Sequence, residues 1–393
     1  MNPLEDALRR TLTGAAGRAP QAPVTLSGAV EARYRRRRNR TRAALAAAAV
    51  VALVGGATFA LKGGTPRAMP ATPPTADATA ALPDPVDKVW PQAVRDIPAR
   101  LPNGRAFHPI RLLDDHTLLV TVDAGFEKAD VVYAYDLESR DLRKIADVPT
   151  PKGTIAFASG FAAGEGRVAW WTVKEGGQGM IWSAPLSGGE ATVVARRKVD
   201  DGGFDGLAVT DGKIVFSAQD GGVFTVPLGG GTVEAVEGGA DMHLLSWPWI
   251  GTVGYGGPSD EPRFGTIRNV ETGETDTALT RAGEQNISCG LVFCMGENGA
   301  GERFHRMRDG SREQPAPCLL SAASTPGRFC TGPVKGAHGR PLGMVLHDLT
   351  TGRSADLGIR PKGKEMFLPV PIGTQVTLPL DKQLRLVDLT KIP

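Results

Sequence analysis

The chain has 393 residues and a formal net charge of +3, and glycine (50 residues) and proline (30) together make up about a fifth of it. An average protein holds roughly an eighth of these two residues, so the excess excludes a mostly helical protein. Apolar residues (41%) and charged residues (22%) occur in globular proportions, which excludes disorder over most of the length.

The first 42 residues form a basic tail with ten arginines against three acidic residues. The remainder of the chain is net acidic, so the charge distribution is not that of a nucleic-acid-binding protein, and no nucleic-acid partner is expected. Six arginines at the end of the tail are candidates for contact with anionic lipid head groups. They are Arg35, Arg36, Arg37, Arg38, Arg40 and Arg42.

An apolar run, AALAAAAVVALVGGATFAL, occupies residues 43–61 without a charged side chain. As a helix it would be roughly 28 Å long, close to the thickness of a bilayer core, and it is therefore predicted to span a membrane. The arginines on its N-terminal side predict a cytoplasmic tail and an extracytoplasmic remainder. A cleaved signal peptide and a buried globular helix are open alternatives. The long tail argues against the first and the charge asymmetry against the second.

Residues 62–85 are rich in proline, alanine and threonine, which is typical of an extended spacer. In residues 86–393 short apolar stretches alternate with Gly, Asp, Asn and Pro. This pattern is typical of an all-β domain.

One strand–turn–strand pattern recurs in this domain at intervals of 39 to 49 residues. A repeat of this length with four strands indicates a β-propeller. The residues that mark the turn in each repeat are Asp136, Pro185, Pro227, Asn269, Asp309, Asp348 and Asp388. Seven markers favour seven blades, although six blades and an irregular strand pair would also fit.

The last repeat ends soon after its third strand, at Pro393. We expect the segment 89–101 to supply the missing outer strand, because this pairing would close the ring and remove an open edge. Within the domain, LAVTDGKIVFSA (207–218) predicts a complete hairpin with its turn at Asp211 and Gly212.

The four cysteines, Cys289, Cys294, Cys318 and Cys330, all lie in the predicted extracytoplasmic part. Three pairings are possible, and an even number in this part fits an oxidising compartment. We expect Cys289–Cys294 and Cys318–Cys330, each across one hairpin. The spacings contain no CxxC unit, which argues against a zinc site and against a redox pair.

No catalytic motif, cofactor motif or metal motif is recognisable in the sequence, so no catalytic residue, cofactor or metal is predicted. The stretch 244–257 holds Trp247, Trp249 and Tyr255 among glycines and prolines. These aromatic residues are candidates for binding a sugar or a peptide. The alternative for them, and for Trp170 and Trp171, is packing between blades.

The segments VYAYDLESRDLRKI, IWSAPLSGGEATVV and LHDLTTGRSADL resemble the third and fourth strands of TolB-like (Trp-Asp-type) propeller repeats. The hairpin at 207–218 is similar to the first and second strands. The whole chain resembles a group of single-pass bacterial proteins with a short basic tail, an anchor and such a propeller. The Ser-Pro-Asp-Gly turn typical of these repeats is missing. The resemblance implies binding and scaffolding and transfers no site residues.

The sequence therefore predicts a protein of the cell membrane whose extracytoplasmic propeller is a binding or scaffold module for an envelope protein, peptide or glycan. Its lipid contacts would be made by residues 43–61 and the arginine-rich flank. One alternative is a propeller enzyme, a lyase or hydrolase of envelope polymers. Another is a transmembrane sensor that signals through the basic tail.

Overall fold

The computed structural model describes residues 81–125, 128–199, 202–252, 261–318, 328–336, 339–362, 366–367, 369, 373–380 and 382–393. The basic tail, the predicted span at 43–61 and most of the spacer lie outside these residues. Within them, no helix combines the length and the apolar character that crossing a bilayer requires.

The described residues begin with three short elements and form seven antiparallel sheets, which we call blades. The short elements are the helix α1 (Val86–Val89), the 3₁₀ turn η1 (Pro91–Ala93) and the strand β1 (Val94–Pro98). Blade 1 contains β2 (His108–Leu112), β3 (Thr117–Gly125), β4 (Lys128–Asp136) and β5 (Leu142–Asp147). Blade 2 contains β6 (Thr154–Gly164), β7 (Arg167–Lys174), β8 (Gln178–Pro185) and β9 (Thr192–Lys198).

The next three blades also have four strands each. Blade 3 contains β10 (Phe204–Thr210), β11 (Lys213–Ala218), β12 (Val223–Pro227) and β13 (Glu234–Ala235). Blade 4 contains β14 (Met242–Ser246), β15 (Trp249–Thr252), β16 (Thr266–Asn269) and β17 (Thr275–Thr277). Blade 5 contains β18 (Gln285–Cys289), β19 (Phe293–Glu297), β20 (Arg303–Met307) and β21 (Gln314–Pro315).

Blades 6 and 7 have three strands each in the described part of the chain. Blade 6 contains β22 (Phe329–Lys335), β23 (Pro341–Asp348) and β24 (Ser354–Asp356). Blade 7 contains β25 (Gln375–Leu380), β26 (Gln383–Asp388) and β1, and the 3₁₀ turn η2 (Leu389–Lys391) follows β26. Seven blades confirm the favoured prediction, and the six-blade alternative is wrong.

Seven apolar clusters join the blades into a closed ring, because each cluster contains residues of two neighbouring blades. Leu119 of blade 1 and Trp170 of blade 2 share one cluster. Leu386 of blade 7 and Leu118 of blade 1 share the cluster that completes the circle. Each blade packs between two neighbouring blades and so buries both of its faces. Inner strands such as β3 therefore have continuous apolar runs and do not alternate between apolar and polar residues.

The closing strand comes from the other end of the domain, as the sequence predicted. Strand β1 pairs with β26 in antiparallel register, from Val94 opposite Val387 to Pro98 opposite Gln383. The guanidinium of Arg385 donates two hydrogen bonds to the carboxylate of Asp96, at 2.7 and 2.8 Å. The two ends of the domain therefore complete blade 7 together, with β1 as its outer strand.

The recurring Asp and Asn markers have a structural role in the turn after the third strand. In blade 1 the carboxylate of Asp136 accepts hydrogen bonds from the backbone N–H groups of Ser139 and Glu138, which lower its pKa. Asn269 makes the same pair of contacts in blade 4, with Glu271 and Thr272. Short polar side chains form such turns readily. The recurrence of Asp and Asn is therefore explained by turn formation and does not indicate a catalytic group.

The predicted hairpin of blade 3 has the expected turn. Strands β10 and β11 pair up to Thr210 and Lys213. Asp211 (φ 51°) and Gly212 (φ 72°) both lie in the left-handed region. Two such residues in succession form the turn that matches the twist of a two-residue hairpin.

Candidate functional site

A cavity of about 550 Å³ opens where the first strands of several blades meet. Blades 1 to 4 supply most of its wall through β2, β6, β10 and β14, and the segment before β25 of blade 7 completes it. These residues are far apart in sequence, and we call the space they enclose the central channel. Its lining residues are Ile110, Arg111, Gly160, Phe161, Ala162, Asp205, Gly206, Leu207, Ala208, Thr210, Leu244, Leu245, Ser246, Trp247, Gly373 and Thr374.

The first strands of blades 3 and 4 come unusually close together at Gly206. A Cβ atom at this position would lie 2.7 Å from the Cβ of Leu244 and 2.7 Å from the Oγ of Ser217. Because a larger residue would collide with both, glycine allows β10 and β14 to approach along the channel wall.

Asp205 of β10 is the centre of a polar cluster on this wall. Its Oδ1 accepts a hydrogen bond of 2.5 Å from the Ser217 hydroxyl, and its Oδ2 lies 2.6 Å from Nδ1 of His243. Ser217 and His243 are buried. The serine hydroxyl contacts the carboxylate and not the imidazole, so the order differs from that of a nucleophilic triad. The cluster ties blade 3 to blade 4.

Trp247 lies at the edge of the channel, directly after β14, and is half-exposed. Its indole Nε1 donates a 2.9 Å hydrogen bond to Oδ2 of Asp211. The Nζ of Lys213 lies 4.6 Å from the ring centroid, over one face. The indole is thus fixed by two residues at the β10–β11 turn and presents an aromatic surface beside the cavity.

The other predicted aromatic residues are elsewhere. Trp249 lies on β15, half-buried, and is not among the residues that line the channel. Tyr255 lies outside the described residues. Trp170 is fully buried between blades 1 and 2 and stacks on Phe161 at 5.6 Å, so packing is the correct interpretation for this residue.

Three channel residues, Arg111, Asp205 and Thr374, were not predicted from the sequence. The Arg111 guanidinium donates a 3.0 Å hydrogen bond to the carbonyl of Ala163, which links blades 1 and 2. Arg111 lies on β2, Asp205 lies on β10 and Thr374 directly precedes β25. Each therefore comes from a different blade. The paired Asp205 and Gly206 at the start of β10 are the one local signal, since this pair breaks an otherwise apolar strand.

A second cavity, of about 510 Å³, lies away from the channel, beside the outer strand of blade 1. Lys144, Asp147 and Glu190 are among its lining residues. The ion pair between Lys144 and Asp147 (2.7 Å) lies within it and is solvent-exposed. More strands contribute lining residues to the channel than to this second cavity, so the channel is the better candidate site.

Both expected disulfides are present. Cys289 and Cys294 join β18 to β19 with their Cα atoms 4.0 Å apart, and Cys318 and Cys330 join the end of blade 5 to β22 with Cα atoms 6.0 Å apart. The predicted turn between the second pair lies outside the described residues. With both disulfides formed, the described part of the chain has no cluster of three or more His, Cys, Asp or Glu that could hold a metal.

No family model and no curated protein matches the chain. Solved β-propeller structures resemble it at low identity. An oligogalacturonate lyase from Vibrio parahaemolyticus has 12% identity and a TM-score of 0.44, over 75% of this chain and 91% of the lyase. A structure of YCF48 bound to a peptide has 12% identity and a TM-score of 0.44, over 75% and 97%. BamB from Moraxella catarrhalis has 11% identity and a TM-score of 0.38, over 72% and 86%.

Proposed function

We propose that this protein is a binding module that receives an extended peptide or a glycan of the cell envelope in its central channel. The observation that carries the proposal is Trp247, a half-exposed indole held by Asp211 and Lys213 beside a cavity of about 550 Å³. Cavities of roughly 300–1,000 Å³ with a mostly apolar wall and a few polar groups are the usual binding sites for small ligands.

The channel wall offers the contacts that such a ligand needs. Apolar side chains from β2, β6 and β14 line most of it, and Arg111 and Asp205 add one charge of each sign. Trp247 packs partly buried against the apolar cluster between blades 3 and 4, and the exposed part of its ring would contact a sugar ring or an apolar peptide side chain. Hydrogen-bonding groups from several blades would then fix the orientation of the ligand.

Binding is favoured over acid–base catalysis by the state of the channel carboxylate. Among the described residues that line the cavity, Asp205 is the sole acid, and Ser217 and His243 occupy both of its oxygens. A glycoside hydrolase would need a pair of carboxyl groups facing a common substrate. The described channel therefore does not offer the carboxyl pair that a glycoside hydrolase uses, and a lyase remains the alternative within the enzyme class.

We further propose that the propeller is held on the outer side of a cell membrane by residues 43–61. The uncharged apolar run, its arginine-rich flank and the two disulfides support this location. We also propose that the propeller is of the TolB-like type that its repeats resemble. A transmembrane sensor that signals through residues 1–42 is the alternative function for a chain anchored in this way.

The channel is tested by measuring how the full chain binds two sets of envelope components, soluble peptidoglycan fragments and a library of short peptides, by native mass spectrometry. We expect one set to bind, and we expect Trp247→Ala to weaken that binding about fivefold, because a stacking contact contributes roughly 1 kcal/mol. Trp249→Ala is the matched control and should bind as the wild type does. Equal loss in both variants, or no loss in either, would refute the channel as the site.

A further inference from the structure

We propose that the layer between blades 5 and 6 is a latent zinc site, formed by His305, His347, Cys318 and Cys330 when the disulfide between the two cysteines is reduced. This site lies in a different part of the ring from the channel, and it does not depend on the binding function proposed above. Two observations support it: the faces of the strands on which the four side chains lie, and the hydrogen bonds of the two imidazoles.

His305 faces blade 6 from the third strand of blade 5. In the register between β19 and β20 it lies directly opposite Met295. Residues opposite each other in a sheet share one face. Met295 packs against Cys318 and Cys330 in a single buried cluster. The imidazole of His305 is therefore on the face of blade 5 that contacts the disulfide.

His347 and Cys330 face blade 5 from the opposite side. They are directly opposite each other in the register between β22 and β23. Their neighbours along the strands, Phe329 and Leu346, belong to the apolar cluster between blades 6 and 7. Because side chains alternate along a strand, Cys330 and His347 point the other way, toward His305.

Each imidazole has one nitrogen engaged and one without a partner. His347 has Nδ1 at 2.8 Å from the Oγ of Ser354, and its buried Nε2 contacts no polar atom. His305 is 6% exposed, its ring hydrogen-bonds to the backbone of Pro315, and its Nδ1 has no partner. In histidines that bind metals, one ring nitrogen hydrogen-bonds to an oxygen and the other nitrogen binds the cation, and the two imidazoles have this division of contacts.

Two buried ring nitrogens without a hydrogen-bond partner are unusual in a folded protein, and one bound cation would satisfy both.

Reduction supplies the two remaining ligands. A dithiol gives two electrons and two protons to the Cys318–Cys330 bond and becomes a disulfide itself, which leaves two thiols. Each thiol then releases its proton to solvent as its sulfur binds the cation. Two thiolates and two imidazoles are the ligand set that zinc takes in tetrahedral structural sites. Sequence spacing does not reveal the site, because its ligands come from two blades.

The test measures zinc retained by the full chain before and after reduction under nitrogen. A phosphine is used as reductant, since it is oxidised to its oxide and does not compete as a dithiol would. We expect one zinc per chain after reduction and none before. X-ray absorption of the zinc form should show two sulfur and two nitrogen ligands, and the cobalt form should show thiolate charge-transfer bands. A reduced chain that retains no zinc, or a site with four sulfur ligands, would overturn the proposal.

Variants separate this site from adventitious thiolate binding. His305→Gln and His347→Gln should each weaken zinc binding roughly tenfold or more. The double variant Cys289→Ser, Cys294→Ser removes the other disulfide, and His243→Gln removes a buried histidine from another interface. Both controls should still retain one zinc. Wild-type affinity in the His305 and His347 variants, or loss of zinc in the controls, would contradict the assignment.

Discussion

Arg308 is a buried side chain that links blades 4 and 5 through hydrogen bonds, at an interface with little apolar packing. It is 3% exposed and contacts Asp276 of β17 through a 2.8 Å ion pair. Its guanidinium also donates to the carbonyls of Phe264, Gly265 and Gly290, at 2.8 to 3.0 Å. The apolar cluster at this interface is small, so the arginine holds the two blades together mainly through hydrogen bonds.

We expect Arg308→Leu to lower the free energy of unfolding by about 3–5 kcal/mol, because it leaves buried carbonyl groups and a carboxylate without a donor. Urea unfolding followed by tryptophan fluorescence measures the change. Arg303→Leu is the control, since Arg303 is largely exposed and its ion pair with Glu297 is 3.5 Å long. The control should change stability by less than about 0.5 kcal/mol, and equal effects in the two variants would contradict the role of Arg308.

His347 makes the stability of the ring depend on pH. Burial lowers its pKa to about 4, against an ordinary value of 6.5. Between these values the unfolded chain takes up a proton that the folded chain does not, so stability falls as the pH falls from 6.5 toward 4. The loss is roughly 3 kcal/mol at most.

Urea unfolding at pH 7 and near pH 4.5 checks this dependence in the oxidised chain. His347→Gln should flatten it, whereas the exposed His116→Gln should leave it unchanged. A wild-type stability that stays constant across this range would contradict a neutral, buried His347.

The closing strand is the element on which the ring depends most. β1 is the outer strand of blade 7, and Ile97 on it is 4% exposed and packs in the cluster that joins blade 7 to blade 1. We expect Ile97→Ala to cost about 2–5 kcal/mol of unfolding free energy, through lost burial and the cavity left behind. Ile155→Ala on β6 is the control, because Ile155 is 47% exposed, and it should cost less than about 0.5 kcal/mol.

Thermal unfolding of the two variants by circular dichroism provides the comparison. A change in Ile97→Ala no larger than that in Ile155→Ala would show that closure by β1 contributes little.

At the level of strands, the sequence predicted those that are buried on both faces. KIVFSA, the second half of the predicted hairpin, coincides with the bounds of β11, because its apolar run marks a strand that is buried on both faces. The outer strands β13, β17 and β21 follow the turn of the recurring strand–turn–strand pattern, but their bounds were not predicted. They are two or three residues long and mostly exposed, so they have no apolar pattern to recognise.

At the level of the whole molecule, the ring was predictable and the channel was not. The turn markers such as Asp136 and Asn269 recur because the same turn follows the third strand in each repeat. The channel combines single residues from several blades, and no local pattern relates Arg111 to Asp205 or to Thr374. Of the predicted ligand-binding residues, only Trp247 lies at the channel in the described part of the chain.

Photo-crosslinking in living host cells tests directly whether the central channel holds a ligand. A photoreactive amino acid would replace Thr374, which lines the channel, or Glu234, which is exposed on the outer strand of blade 3. We expect an adduct with one envelope peptide or glycan from position 374. This adduct should be absent from position 234 and lost when Trp247→Ala is added. The same adducts from both positions, or none from position 374, would contradict a ligand in the central channel.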